Sequence, residues 1–300
     1  HFENVLVGEV WLCSGQSNME FMMKEGVDGK VDIPQSGNAG IRLFDMKARW
    51  RTNAVKWDAS VLDSLNHLQY YANTEWVECS PKAVADFSAV AYYFGKMLQD
   101  SLQVPVGLIC NAIGGSPTEA WVGRKALEYE FPAIMRDWLK NDFVQKWVHG
   151  RAALNIKLTT DKLQRHPYEP CYLFESGIVP LDRYPIKGVI WYQGESNAGE
   201  AFQYRDLMPL MITDWRNRWG YDFPFYMVQL ASFTAKQTAP VESTWAELRE
   251  AQTRTLHLQN TGMAVAIDIG EEFDIHPKNK QEVARRLAVI SLADTYGQKI

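Results

Sequence analysis

The sequence has little cysteine, no long apolar run and no excess of positive charge, and each absence excludes a class of protein. Four cysteines in 300 residues, with no CxxC pair, provide neither the disulfide framework of a small secreted domain nor a cysteine-based zinc site. No apolar run reaches the roughly 18 residues that a membrane helix needs. The 31 Lys and Arg are dispersed among 36 Asp and Glu, for a net charge of -5, which argues against nucleic-acid or membrane-surface partners.

The cysteines and the chain ends leave two questions open. Cys13 and Cys110 lie in apolar runs and are expected to be buried thiols. Cys79 and Cys171 lie in loop-like segments, where they are free to form a disulfide if the protein is exported. No signal peptide opens the chain, and its abrupt ends are those expected of a mature or excised domain.

Five short apolar runs predict the strands of a central sheet, at residues 5–13, 104–110, 186–192, 223–230 and 263–269. Each is rich in Val, Ile and aromatic residues without polar alternation, which is typical of parallel strands buried on both faces. Segments of helical periodicity separate them, at 87–102, 204–219, 245–258 and 280–296. This alternation predicts a doubly wound α/β sheet with right-handed crossovers.

Two stretches fall outside the alternation of strands and helices. Residues 25–80 carry many polar residues and are long for a connection, so we interpret them as a functional insertion. Residues 125–163 have helical composition but no strand after them until 186. We expect one domain over residues 1–300 that includes both stretches.

Polar or glycine-rich segments follow four of the five predicted strands. In an open α/β sheet, ligands bind at the carboxyl ends of the strands, so these segments are expected to meet. Together they supply a serine, glycine backbone, side-chain amides, carboxylates and a histidine, which are the groups that serine hydrolysis uses. They are Gly15-Gln16-Ser17-Asn18, Asn111-Ala112-Ile113-Gly114-Gly115-Ser116-Pro117, Gln193-Gly194-Glu195-Ser196-Asn197 and Glu271-Glu272-Phe273-Asp274-Ile275-His276-Pro277.

Ser17 is the candidate nucleophile of this group. A serine at this point is more commonly a helix N-cap, but the coincidence of the four segments favours the nucleophile. His276 is the candidate base, since histidine titrates in the range that general-base catalysis needs. Gly115 offers a backbone N–H to an oxyanion, and Gln193 or Asn197 offers a side-chain amide. The acid that orients the histidine is predicted to be Asp274, with Asp268, Glu271 and Glu272 as alternatives.

Four segments resemble motifs of the sialate O-acetylesterase family, a branch of the SGNH hydrolases. The specific ones are Val10-Trp11-Leu12-Cys13-Ser14-Gly15-Gln16-Ser17-Asn18-Met19-Glu20 and Ile190-Trp191-Tyr192-Gln193-Gly194-Glu195-Ser196-Asn197-Ala198. Residues 114–121 and 268–288 resemble two further motifs, and the likeness runs over about residues 5–296. It implies a flavodoxin-like three-layer α/β/α sandwich around the five-stranded parallel sheet, and hydrolysis of O-acetyl groups on sialic acids or other sugars. No metal or other cofactor is implied.

The resemblance also implies roles for individual residues. Ser17, His276 and Asp274 would form a Ser-His-Asp triad that works through an acyl-enzyme, although many SGNH enzymes place the acid where this chain has Phe273. The oxyanion donors would be the backbone N–H groups of Ser17 and Gly115 and the amide of Gln193, with Asn197 as the alternative. The side chains predicted to contact the substrate are Gln16, Asn18 and Glu195.

The sequence leaves three hypotheses about the substrate. For a sialic acid, its carboxylate would pair with one of Arg42, Arg49 and Arg51. For acetylxylan or another plant polysaccharide, the same chemistry would work in a neutral aromatic groove. An inactive sugar-binding module is the least favoured hypothesis. Candidates for a wall that stacks on the sugar are Trp50, Trp57 and Trp76. The resemblance implies an exported protein, either compact or the catalytic core of a longer multidomain one.

Overall fold

The computed structural model describes residues 3–239 and 241–300, and these residues form one sheet of seven strands between layers of helices. The strands are β1 (Glu9–Gly15), β2 (Asn38–Asp45), β3 (Val77–Cys79), β4 (Val106–Ala112), β5 (Gly188–Tyr192), β6 (Phe225–Val228) and β7 (Thr261–Ala264). Their order in the sheet is β3-β2-β4-β1-β5-β6-β7. All neighbours pair in parallel except the edge strand β3, which runs antiparallel to β2.

Eleven α-helices connect or flank the strands within the described residues. They are α1 (Ser17–Glu20), α2 (Gly29–Asp32), α3 (Ala59–Asn66), α4 (Pro81–Ala85), α5 (Ala89–Leu102), α6 (Arg124–Glu130), α7 (Pro132–Met135), α8 (Lys146–Asn155), α9 (Ala201–Trp219), α10 (Thr244–Arg254) and α11 (Lys280–Ile290). Short 3₁₀ turns include Thr118–Trp121 and Glu195–Glu200.

Large apolar side chains project from both faces of the sheet, so both faces must be covered by helices. Trp11 of β1 pairs in register with Gly188, three positions before Trp191 of β5, so the two indoles point to opposite faces. Trp11 packs edge-on against Phe94 of α5, and Trp191 packs edge-on against Trp215 of α9. Helix α11 packs with α5, and α10 packs with α9. The predicted three-layer α/β/α sandwich is therefore confirmed.

The number of strands differs from the predicted five because β2 and β3 lie in the segment interpreted as an insertion. In β2 only Ile41 and Leu43 are buried, and Arg42 between them breaks the apolar run that marks a fully buried strand. Strand β3 has three residues at the sheet edge. Residues 25–80 thus extend the sheet instead of standing wholly outside it.

The segment 125–163 and the four cysteines also have defined positions in the fold. The segment 125–163 forms α6, α7 and α8, as its helical composition predicts. All four cysteines are buried free thiols, and Cys79 donates to the carbonyl oxygen of Ser36 while Cys171 contacts Met135. Within the described residues, the helices are too short or too polar to cross a membrane.

Candidate active site

The end of β1 places Ser17 at the carboxyl edge of the sheet. Gly15 has a φ of 139°, and a Cβ atom there would lie 2.2 Å from the carbonyl oxygen of Tyr192. Only glycine tolerates this backbone, so β1 can turn sharply beside β5. The N–H of Gln16 then bonds the same Tyr192 oxygen, and α1 begins at Ser17. The turn therefore presents the Ser17 side chain above the sheet.

Ser17 and His276 are in direct hydrogen-bond contact. The Ser17 Oγ lies 2.8 Å from Nε2 of His276, although the residues are 259 positions apart in the chain. Burial and the nearby Lys280 lower the pKa of His276, whereas Asp274 acts in the opposite direction. A lowered pKa keeps the imidazole neutral near pH 7, which is the form that accepts a proton from the serine hydroxyl.

Asp274 is the carboxylate that lies beside the other ring nitrogen. Its Oδ1 is 3.5 Å from Nδ1 of His276 and accepts the His276 backbone N–H at 2.9 Å. Two of the alternatives are engaged elsewhere, since Asp268 pairs with Arg286 and Glu271 accepts the backbone N–H of Lys278. The third, Glu272, is exposed. At 3.5 Å this ring contact is long for a hydrogen bond and is better described as an ion-pair contact. Phe273, at the position where many SGNH enzymes have their acid, is 90% exposed.

Two backbone N–H groups remain available beside Ser17. Ser17 is the first residue of α1, where a helix provides no acceptor for its N–H, and neither that N–H nor the N–H of Gly115 donates to a described residue. Gly115 has a φ of 75°, and a Cβ there would meet Tyr168 Oη at 2.3 Å. Only glycine fits at this position, because a side chain would collide with the Tyr168 hydroxyl.

Side chains that the sequence did not single out hold the Gly114–Gly115 segment. Glu20 accepts the N–H of Gly114 at 2.8 Å, and Tyr168 donates its hydroxyl to the Gly114 carbonyl at 2.7 Å. Thr52 lies 2.6 Å from the same Tyr168 hydroxyl. Burial raises the pKa of Glu20 and raises that of Tyr168 to about 12. Glu20 follows Ser17 by one helical turn and was detectable from that spacing, whereas Tyr168 and Thr52 lie in distant loops.

A cavity of about 530 Å³ opens over Ser17 and His276. This volume is in the range of small-molecule sites. Both charged and aromatic side chains line the cavity. One of the charged side chains, Arg51, makes no ion pair or hydrogen bond with any described residue. Trp147 stands at the rim, 42% exposed, with its indole N–H bonded to Gln145. The remaining lining includes Phe21, Glu25, Asn53, Tyr70, Ile113 and Arg151.

The structure places the side-chain amides predicted for the oxyanion site beneath the cavity. Gln193 is fully buried, and its Nε2 donates to the carbonyl oxygen of Ser116 and to Oδ1 of Asn197. Asn197 in turn donates to Glu119, whose pKa burial raises to about 7. Neither amide lines the cavity. Both belong to a buried network beneath the site, because interior polar groups must find partners.

Gln16, Asn18 and Glu195, which were predicted to contact the substrate, also lie beneath the cavity. All three side chains are buried and none lines the cavity. Gln16 accepts backbone N–H groups of Gly194 and Ser196, and Asn18 donates to Glu195. These residues connect the first and third motifs beneath the cavity, so their polarity serves the packing of the two loops.

Most of the tryptophans and arginines that were predicted to bind the sugar pack against other parts of the protein instead. Trp57 is buried against His166, and Trp50 and Trp76 pack against the core. Arg42 bonds backbone oxygens of its own strand, and Arg49 lies over the ring of Trp50. Of the predicted arginines only Arg51 lines the cavity. In the described part of the chain, no three His, Cys, Asp or Glu side chains are grouped so that they could hold a metal ion.

The family model for carbohydrate esterases described as sialic acid-specific acetylesterases matches residues 7–141 and 173–292. The chain belongs to this family. The two matched blocks contain Ser17, Gly115 and His276, and the part between them contains Trp147 and Tyr168 of the cavity.

Individual relatives agree with the family model. Sialate O-acetylesterase of Mus musculus is 31% identical over 327 aligned positions, which cover 99% of this chain and 58% of the mouse protein. The human sialate O-acetylesterase is 28% identical, with 99% and 55% covered. The crystal structure of a carbohydrate acetylesterase from Xanthomonas citri superposes with a TM-score of 0.74 at 34% identity, over 99% of this chain and 58% of that one. The chain thus spans somewhat more than half the length of these relatives.

Proposed function

We propose that this chain hydrolyses O-acetyl esters of sugars, with Ser17 as the nucleophile. The observation that carries the proposal is the 2.8 Å contact between Ser17 Oγ and His276 Nε2 at the base of the cavity. A serine paired with a neutral histidine is the arrangement by which a weak hydroxyl nucleophile is activated. The activities named for the relatives add the acyl group, acetyl, and the alcohol, a sugar.

The geometry supports a two-step reaction. In the first step, Nε2 of His276 takes the Ser17 proton while Oγ bonds the acetyl carbon, and the carbonyl oxygen becomes an oxyanion held by the N–H groups of Ser17 and Gly115. His276 then returns the proton to the sugar oxygen, and the carbon–oxygen bond to the sugar breaks. In the second step, water loses a proton to His276, attacks acetyl-Ser17 and releases acetate, and the proton restores the serine hydroxyl.

Asp274 supports the histidine in both steps. Its carboxylate beside Nδ1 favours the tautomer that leaves Nε2 free to accept the serine proton. It also stabilises the imidazolium that forms in each transition state. The bond from its Oδ1 to the His276 backbone N–H holds the carboxylate on the same side of the loop as the ring.

An arginine in the cavity supports an acetylated sialic acid as the substrate. The Arg51 guanidinium makes no hydrogen bond or ion pair with a described residue, although its charge opposes the rise in the pKa of Glu20, so its N–H groups can bind a carboxylate. Arg151 lines the same cavity, with one N–H held by the carbonyl oxygen of Thr52 at 2.6 Å. The same cavity holds the carboxyl groups of Glu20, Glu25 and Asp274, so the preference rests on the position of Arg51 and not on net positive charge. A neutral acetylated polysaccharide would leave Arg51 without a partner and could stack on the exposed Trp147.

The test is acetate release by the Ser17→Ala variant from p-nitrophenyl acetate and from an O-acetylated sialic acid. We expect turnover to fall at least about 10³-fold on both substrates, because no other group can form the acyl-enzyme. Ser101→Ala, an exposed serine near the end of α5, is the control and should retain full activity. Turnover that survives Ser17→Ala would refute the mechanism.

A further inference from the structure

A buried lysine, asparagine and glutamate lie directly behind the nucleophile. Lys280, Asn18 and Glu195 are 1%, 1% and 9% exposed, and they come from α11, α1 and the turn after β5. Lys280 Nζ donates to Oδ1 of Asn18, and Nδ2 of Asn18 donates to Oε1 of Glu195. The amide of Asn18 thus stands between a cation and a carboxyl group, and none of the three lines the cavity.

The partners on either side allow only one orientation of the Asn18 amide. A backbone carbonyl oxygen only accepts hydrogen bonds, so the carbonyl of Ile275 must face the amide nitrogen, and the amide oxygen must then face Lys280. The amide nitrogen also donates to the carbonyl oxygen of Ile275 at 3.0 Å. Asn18 follows the nucleophile in the chain and Ile275 precedes His276, so this bond joins the two loops that carry the reacting side chains.

We propose that Asn18 is a positioning residue that holds the His276 loop against the nucleophile turn, and that Lys280 and Glu195 fix the direction of its amide. The inference rests on the proposed function, since it concerns the contact between Ser17 and His276. None of the three residues touches the substrate in this arrangement.

The position of Lys280 is unfavourable for a positive charge, so its contacts must offset the free-energy cost of burying it. It is the first residue of α11, where the helix dipole disfavours a positive charge, and it is removed from water. The faces of Phe21 and Tyr192 lie 4.7 and 5.3 Å from Nζ and offset part of this cost. Burial lowers the pKa of Lys280 to about 7 and raises the pKa of Glu195.

The charge of Lys280 also acts on His276. After burial, Lys280 is the largest influence that lowers the pKa of His276, against Asp274 and Glu25, which raise it. Lys280 itself faces Glu195, Asp274 and Glu271. Removal of the lysine charge should therefore make His276 easier to protonate. The acid limb of kcat/KM, where a protonated His276 stops the reaction, should then move to higher pH.

The experiment compares Lys280→Met, Lys280→Gln and Asn18→Asp with wild type on p-nitrophenyl acetate. Asn18→Asp has the same shape but no N–H for Ile275, so kcat should fall about 10²-fold with little change in KM, the loss expected from a misplaced catalytic group. Lys280→Met should lower kcat and shift the acid limb upward. Lys280→Gln keeps a donor for Asn18 without the charge, so it should recover much of kcat while the limb stays shifted.

The exposed Lys278→Met is the matched control and should behave as wild type. Thermal unfolding shows which variants are folded, and if Lys280→Met does not fold, Asn18→Asp and Lys280→Gln decide the question alone. Wild-type kcat in Asn18→Asp, with an unshifted acid limb in Lys280→Gln, would overturn the inference. That outcome is distinct from failure of the proposed function, which is shown by turnover in Ser17→Ala.

Discussion

The hydroxyl of Tyr168 donates to the carbonyl oxygen of Gly114 at 2.7 Å, and this bond sets the direction of the next N–H in the chain. The Gly114 carbonyl and the Gly115 N–H belong to one planar trans peptide, in which they point in opposite directions. A carbonyl held by Tyr168 therefore fixes the Gly115 N–H on the opposite side. The buried phenol of Tyr168 thus orients the N–H that we propose as an oxyanion donor.

We expect Tyr168→Phe to lower kcat about 10-fold, less than the 10²–10³-fold loss of a whole oxyanion donor, because the peptide remains but is no longer held. KM should change little. Tyr172→Phe is the control, since this buried phenol donates instead to the Leu65 carbonyl and lies outside the cavity. Both variants should lose about 1 kcal/mol of unfolding free energy. Equal kcat in the two would contradict the role given to Tyr168.

The identity of the acid can be tested without disturbing its loop. Asp274→Asn keeps an oxygen for the His276 backbone N–H and removes only the negative charge. We expect kcat to fall by about 10² or more, because the asparagine no longer favours the productive tautomer. Asp274 raises the pKa of His276, so its loss should move the acid limb of kcat/KM to lower pH. A larger loss in Glu271→Gln or Glu272→Gln would assign the acid differently.

The sequence predicted that Ser17, Gly115 and His276 would lie close together, because their positions follow from the topology of the sheet. Ser17, Gly115 and His276 all come after strands of one parallel sheet, and the carboxyl ends of such strands lie at one edge. Their meeting therefore needs no knowledge of side-chain packing. Strand β2 was missed because its half-buried pattern does not form the continuous apolar run of a central strand.

The sequence predicted which polar residues lie near the site but not the direction in which their side chains point. Gln193, Asn18 and Glu195 stand at the correct strand ends, but their side chains turn into the interior and satisfy one another or backbone groups. A sequence shows that a polar residue is near the site, not whether it faces the cavity. Tyr168 and Thr52 show the converse, since loops far apart in sequence bring their hydroxyls together only after folding.

His166 predicts how stability depends on pH. It is fully buried, its Nδ1 accepts the backbone N–H of Tyr168, and burial lowers its pKa from 6.5 to about 3. Between pH 6.5 and about 3, His166 is protonated in the unfolded chain but stays neutral in the folded protein. The unfolding free energy from this group should therefore fall as pH drops from 6.5 towards 3, by up to about 1.4 kcal/mol per pH unit.

Urea unfolding of wild type and His166→Gln between pH 7 and pH 5 measures this contribution. The variant is expected to be less stable at pH 7, since it loses the stacking with Trp57, but its stability should fall less steeply on acidification. His257→Gln replaces an exposed histidine and should keep the wild-type slope. Parallel curves for wild type and His166→Gln would show that His166 does not couple folding to pH.

A substitution of Arg51 distinguishes the two proposed classes of substrate, acetylated sialic acids and neutral acetylated polysaccharides. Arg51→Met should raise KM for an O-acetylated sialic acid about 10–100-fold, the value of one charge-assisted hydrogen-bonded contact, and leave KM for a neutral acetylated xylose unit unchanged. Arg49→Met is the matched control, because Arg49 is exposed over Trp50 and lies outside the cavity. Arg151 is a poorer probe, since its bond to Thr52 also supports Tyr168. An equal effect of Arg51→Met on both substrates would mean that the arginine does not read a carboxylate, and would favour a neutral polysaccharide.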